Sequence, residues 1–166
     1  MNCPGCGAAV RPDMEKEALC CDFCGRVELS EPDQDGVRDL AETSGRLCPV
    51  CRLGLVHASA AGIGVERCPN CRGILAPSDG FVAMIDLLRG RYDGPPEPPR
   101  PLPLEDLNRR IDCPGCSRPM DTHPYGGGGN IVIDNCPECD LNWLDHAELR
   151  RVVRAGGWAP AEEQEA

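Results

Sequence analysis

Twelve of the thirteen cysteines stand in Cys-x-x-Cys pairs. Two thiols at that spacing can turn both sulfurs toward one soft metal ion. The pairs group as Cys3/Cys6 with Cys21/Cys24, Cys48/Cys51 with Cys68/Cys71, and Cys113/Cys116 with Cys136/Cys139. Partner pairs are separated by 14, 16 and 19 residues, near the interval of a four-thiolate zinc site. Three matches in 166 residues point to three structural Zn²⁺ sites. Each site fills all four positions with Cys and leaves none for water or substrate. Cys20 is the spare, because Cys21 keeps the regular spacing.

The residues around each pair suit a tight turn. Pro4, Pro49, Pro69, Pro114 and Pro137 follow the first Cys of five pairs, where a fixed φ favours the turn. Gly7 and Gly25 follow the second Cys, where a positive φ is often needed, but Arg52, Arg72, Ser117 and Asp140 hold that place elsewhere. Disulfides are the competing use of these thiols. They need an oxidising compartment, and Met1-Asn2-Cys3-Pro4 does not open like a secretory leader. The odd cysteine count also pairs badly. The expectation is a soluble, cytoplasmic zinc protein without membrane association.

Composition leaves little material for a large core. Aromatics make up 4% of residues, and there are 19 Gly and 17 Pro. Metal binding, worth about 10–16 kcal/mol per structural site, would supply what apolar burial cannot. The expected fold is a small metal-stabilised α+β protein. It has three zinc ribbons, each a β-hairpin with zinc knuckles, the second and third each followed by a short helix, joined by linkers. The boundaries are an N-terminal ribbon at 1–30, an acidic linker at 31–47, a second ribbon with helix at 48–92, a Pro-rich linker at 93–112, a third ribbon with helix at 113–157, and an acidic tail at 158–166.

The second and third modules form an internal repeat. Ile63-Gly64-Val65-Glu66 matches Ile131-Val132-Ile133-Asp134, and both alternate like the return strand of a hairpin. The extra residues of the later copy fall at the tip, Gly126-Gly127-Gly128-Gly129. Asp145 with Glu148 forms a capping-box pattern opening a helix whose apolar face is Leu149, Val152 and Val153, ended by Gly156. In the second module Ser78 or Asp79 caps a helix with Phe81, Met84, Ile85 and Leu88 inward, stopped at Gly90. Each helix is expected to pack on its own ribbon. Residues 94–103, with six prolines, read as a stiff spacer, and 104–111 contains a short helix.

Cys-Pro-x-Cys, a hairpin, Cys-Pro-x-Cys and then Trp143-Leu144-Asp145-His146-Ala147-Glu148-Leu149 resembles the prokaryotic transcription-factor-IIB-type zinc-ribbon family. The second module keeps its four cysteines but has Leu75-Ala76-Pro77 where Trp-Leu-Asp is usual, so it resembles a diverged copy. The first resembles a generic zinc ribbon. The resemblance implies metal ligands at Cys48, Cys51, Cys68, Cys71, Cys113, Cys116, Cys136 and Cys139. Ribbons of this kind serve polymerase docking, nucleic-acid binding and protein adaptors alike.

Charge and the absence of catalytic patterns favour the adaptor. The formal net charge is −10, and the zinc-loaded thiolate form would stand at about −16. Before that metal correction only 48–92 is net basic, so nucleic-acid binding is expected to be weak and centred on Arg52, Arg67 and Arg72. Arg150, Arg151 and Arg154 with Trp158 make a second, protein-directed grouping. His57, His123 and His146 lack any zinc-enzyme spacing. The expected function is a non-enzymatic protein- or nucleoprotein-interaction adaptor with a transcription-related setting and a protein partner. The alternatives are a rubredoxin-like iron redox protein and a nucleic-acid-binding zinc-ribbon protein.

Overall fold

Three short strands, β1 (Val10–Asp13), β2 (Ala18–Cys21) and β3 (Val27–Glu28), make an antiparallel sheet in that order. Seven more make a second sheet: β4 (Val37–Leu47), β5 (Gly54–Ala60), β6 (Ile63–Arg67), β7 (Ile74–Pro77), β8 (Asp121–Pro124), β9 (Val132–Cys136) and β10 (Leu141–Leu144). Their order is β4-β5-β6-β7-β10-β9-β8, antiparallel throughout. The helices are α1 (Ser78–Arg91), α2 (Leu104–Asn108) and α3 (Glu148–Val153). This computed structural model describes residues 2–13, 15–126 and 128–156. Trp158, the acidic tail at 158–166 and Gly127 of the hairpin tip lie outside the described residues. Among the described residues no helix is long and apolar enough to cross a membrane.

The second and third modules meet at the seam between β7 and β10. Leu75 and Trp143 hold the same place in the repeat, and they pair with each other. On either side Ile74 pairs with Leu144 and Ala76 with Asn142, two pairs that the repeat exchanges because Ile74 corresponds to Asn142 and Ala76 to Leu144. An approximate two-fold axis therefore passes through Leu75 and Trp143, with β5-β6-β7 on one side and β10-β9-β8 on the other. Self-complementary pairing of this kind is how like surfaces close on one another. Side-chain size breaks the symmetry. Trp143 is fully buried, and its ring lies where a methyl on Gly73 would be. The counterparts of Trp143 and Gly73 are Leu75 and Leu141, so a large ring faces an empty backbone on one side only.

Strand alternation then gives two apolar layers. On one face Val37, Ala58, Val65, Ile74, Ile133 and Leu144 pack with Phe81, Met84, Ile85 and Leu88 of α1 and Leu149 and Val152 of α3. On the other, Leu55, Leu75, Ile111, Met120 and Trp143 pack with cysteines of both modules. Separate ribbons on linkers, each with its own helix, is thus not the arrangement found: α1 touches α3, and both cover one sheet. A lone ribbon would leave β7 or β10 as an open edge with half an apolar face, and pairing the two removes both.

Both expected linkers are built into the fold. Within 31–47, the Asp33 carboxylate accepts the N–H groups of Asp35 (2.8 Å) and Val37 (3.1 Å), which turns the chain into β4. β4 then pairs with β5, with two register shifts, and buries Val37 and Leu40. The Pro-rich stretch runs along the third module. The Glu97 N–H donates to Arg154 O at 2.8 Å, and Asn130 Nδ2 donates to Arg100 O at 2.6 Å. Its prolines need no strand partners, which leaves their carbonyls for side-chain donors: the Tyr92 hydroxyl donates to Pro95 O at 2.9 Å.

Phe81, Met84, Ile85 and Leu88 are buried as their spacing requires, but neither Ser78 nor Asp79 caps α1. Ser78 Oγ accepts instead from Asn142 Nδ2 at 3.2 Å and Asn135 Nδ2 at 3.4 Å, tying α1 to the third module. The helix runs one residue past Gly90.

Gly73→Ala should force the Trp143 ring away from the seam and cost about 1–3 kcal/mol. Thermal unfolding followed at strands of both modules should show a single transition at lower temperature. Gly54→Ala, where the added methyl meets nothing within 4 Å, is the control.

Candidate metal centres

Every knuckle has the same backbone. The residue after the second Cys has positive φ in all six: Gly7 (75°), Gly25 (70°), Arg52 (62°), Arg72 (62°), Ser117 (60°) and Asp140 (51°). Five of these donate their N–H to the carbonyl of the first Cys at 2.8–3.0 Å: Gly7 to Cys3, Gly25 to Cys21, Arg52 to Cys48, Arg72 to Cys68 and Ser117 to Cys113. The missing glycines are thus absorbed as left-handed L-residues, a strain of order 1 kcal/mol or more each that the knuckle must hold down.

The turns gather the sulfurs expected from spacing. Cys3, Cys6, Cys21 and Cys24 bring their Sγ atoms within 4.8 Å of one another, as do Cys48, Cys51, Cys68 and Cys71, and Cys113, Cys116, Cys136 and Cys139. Individual separations are 3.5 Å for Cys3–Cys24 and Cys6–Cys21, 3.5 Å for Cys48–Cys71, 3.2 Å for Cys51–Cys68 and 3.7 Å for Cys116–Cys136. A disulfide would require about 2.05 Å. Four sulfurs around a zinc at 2.3 Å lie about 3.8 Å apart. All thirteen cysteines are free, and each cluster could hold a metal ion.

Backbone N–H groups aim at these sulfurs, as a thiolate needs. Gly5 donates to Cys3 Sγ (3.4 Å), Cys51 to Cys48 Sγ (3.4 Å), Cys71 to Cys68 Sγ (3.4 Å) and Gly115 to Cys113 Sγ (3.3 Å). The Gly5 N–H brings the Cys3 thiol down to about 7. The N–H groups of Leu53 and Arg118 bring Cys51 and Cys116 to about 6. Cys139 goes the other way, to about 12, through its contact with Cys116 and its burial. Four neighbouring thiols cannot all ionise unaided, so a cation is what would let each cluster become four thiolates.

The clusters differ in setting. All three bury the first Cys of each pair, but the second and third also half-bury the second Cys and border the apolar layer around Trp143, whereas Cys6 and Cys24 of the first are exposed. Cys20 lies in β2 outside the cluster, buried, with its thiol 3.8 Å from Asp13 Oδ2. His57 is in β5 and His123 in β8, and His146 is half exposed with Nδ1 3.8 Å from Asp35. None of the three joins a cluster of candidate ligands among the described residues.

Asp145 has a role other than the one its motif predicts. Ala147, at φ 69°, precedes α3, and no side chain caps that helix. Asp145 Oδ1 accepts from Trp143 Nε1 at 3.2 Å, and its Oδ2 accepts from Arg109 Nη1 at 2.5 Å. Arg109 also donates to the fully buried Asp134 at 2.7 Å, which takes a further bond from Thr122 Oγ1 at 2.6 Å. Glu148 supplies the surviving half of the capping box, accepting the Asp145 N–H at 2.7 Å and the Val132 N–H at 3.2 Å. Burial lifts the Glu148 carboxyl to about 7 despite those bonds. Asp106, Asp145 and Glu148 also lie close together, but Arg109 and backbone donors account for the grouping.

The expected basic surface is largely neutralised. Arg67 is buried and paired with Asp33 and Asp39, and Arg72 also pairs with Asp33. Arg52 remains two-thirds exposed, with Asp112 at 3.9 Å. The carboxylates responsible come from the segment first read as linker, so spacing along the chain gave no sign of them.

Residues 112–155 match a family model described as transcription factor zinc-finger. No curated protein and no solved structure matches the chain.

Cys20→Ser should leave metal stoichiometry unchanged in native mass spectra, while loss of one equivalent would place Cys20 among the ligands. Glu148 should titrate near neutrality by carboxyl NMR. The native state keeps that proton up to about 7, whereas the unfolded chain releases it near the ordinary glutamate value of 4.5. Its ionisation therefore withdraws stability as pH rises through that window, and a midpoint at or below 4.5 would contradict the burial argument.

Proposed function

We propose that the chain is a non-enzymatic interaction protein built on three structural Zn²⁺ sites, acting in the cytoplasm as a protein or nucleoprotein adaptor in a transcription-related setting. The observation that carries this reading is the closure of the clusters. Each offers four sulfurs, with N–H groups trained on them, and no fourth position for a reacting water. Bound Zn²⁺ would draw the thiols to thiolates and lock each pair of knuckles.

The family match over 112–155 supports the ribbon assignment and its transcription-related setting. The register of β5-β6-β7 against β10-β9-β8 supports reading the second module as a diverged copy of the third. A protein partner is favoured over nucleic acid because Arg67 and Arg72 are engaged by Asp33, and the whole chain is acidic.

Two measurements on the full chain test this. Metal analysis with cobalt substitution should give three equivalents in tetrahedral four-sulfur coordination; iron, or a water ligand, would contradict it. Titration with duplex or single-stranded DNA at physiological salt should show only weak binding with a shallow salt slope. Sub-micromolar affinity abolished by Arg52→Glu with Arg72→Glu would replace the protein-adaptor reading with the nucleic-acid one.

A further inference from the structure

The three first knuckles share one backbone and differ in what they display. Cys3, Cys48 and Cys113 donate their N–H groups to Ala8, Leu53 and Arg118 O at 2.7–2.8 Å. The flanking bridges match as well: Asn2 with Ala9, Leu47 with Gly54, and Asp112 with Pro119. Three outward positions therefore correspond across the modules. The first knuckle carries Asn2, Gly5 and Ala8 there, and the third carries Asp112, Gly115 and Arg118. The second carries Leu47, Val50 and Leu53, which are 55%, 44% and 49% exposed.

Nothing in knuckle geometry asks for aliphatic side chains at these places, since the other two knuckles do without them. Leaving three in water has no folding advantage, and clustered exposed apolar side chains mark contact surfaces. Within the turn itself the side-chain charge is one-sided. No acidic residue lies within 47–53, and Arg52 projects from the same turn two-thirds exposed, with only the half-exposed Asp112 near it at 3.9 Å. Arg46 borders the turn, partly exposed and paired with Glu66.

We propose that the turn at 47–53 is a docking surface for a segment of a partner protein that presents aliphatic side chains beside carboxylates. Leu47, Val50 and Leu53 take the aliphatic side chains, and Arg52 takes a carboxylate. The proposal deepens the interaction-protein reading and rests on it. Three aliphatic side chains and one arginine on a single turn fit a short linear segment rather than a broad protein face.

The zinc-loaded full chain is panned against a displayed library of random peptides, and enriched peptides are synthesised and titrated by amide NMR. Enriched sequences should combine aliphatic residues with Asp or Glu and shift the amides of 46–54. Val50→Ser with Leu53→Ser, and separately Arg52→Glu, should each weaken binding at least tenfold with zinc content unchanged. Peptides that instead shift Phe23, Val27 and Leu29, the exposed apolar residues of the first ribbon, would remove this surface while leaving the adaptor reading intact. Basic enriched peptides, or no enrichment, would overturn the proposal. So would self-association of the chain abolished by the serine variant, since a second copy would then be the occupant.

Discussion

The pairing of β7 with β10, with the Trp143 ring lying over Gly73, is the contact on which the larger part of the molecule depends. It turns two three-stranded ribbons into one sheet. It creates both apolar layers, because neither half-sheet has enough area to bury alone. It also brings the second and third sulfur clusters to the borders of one layer, where Trp143, Leu75 and Leu55 pack with Cys48, Cys68, Cys113 and Cys136. Metal binding and sheet formation are therefore coupled: the knuckles hold the hairpins, and the hairpins hold the seam.

Around that seam the acidic residues act as fasteners. Asp33 opens β4 and holds Arg67 and Arg72, so the edge strand, the second module and its second knuckle are joined by charge. Asp134, Arg109 and Asp145 do the same at the third module, reaching from α2 through the sheet to Trp143 Nε1. Buried ion pairs of this type contribute little net energy against apolar equivalents, but removing one partner leaves the other charge stranded. They specify which segments meet.

Much of this was legible in the chain. The cysteine intervals named all twelve clustered thiols, because a knuckle is a local turn whose chemistry is written in adjacent residues. The apolar face of α1 and the repeat between Ile63–Glu66 and Ile131–Asp134 were equally local. What could not be read was long-range. An 11-residue strand at 37–47 hid behind acidic composition, since its carboxylates are matched by arginines far along the chain. The Asp145 motif looked like a cap because the capping box is a sequence pattern, and only Glu148 keeps its part. The seam itself could have been suspected from Leu75 and Trp143 at repeat-equivalent positions, with Gly73 two residues from Leu75 leaving room for the ring.

Amide hydrogen exchange tests the fused-unit account most directly. With the third cluster reduced to three sulfurs by Cys136→Ser, amides of β5–β7 and β8–β10 should lose protection together, while β1–β3 keep theirs. Retained protection in β5–β7 after the third module has opened would contradict the account and restore independent ribbons.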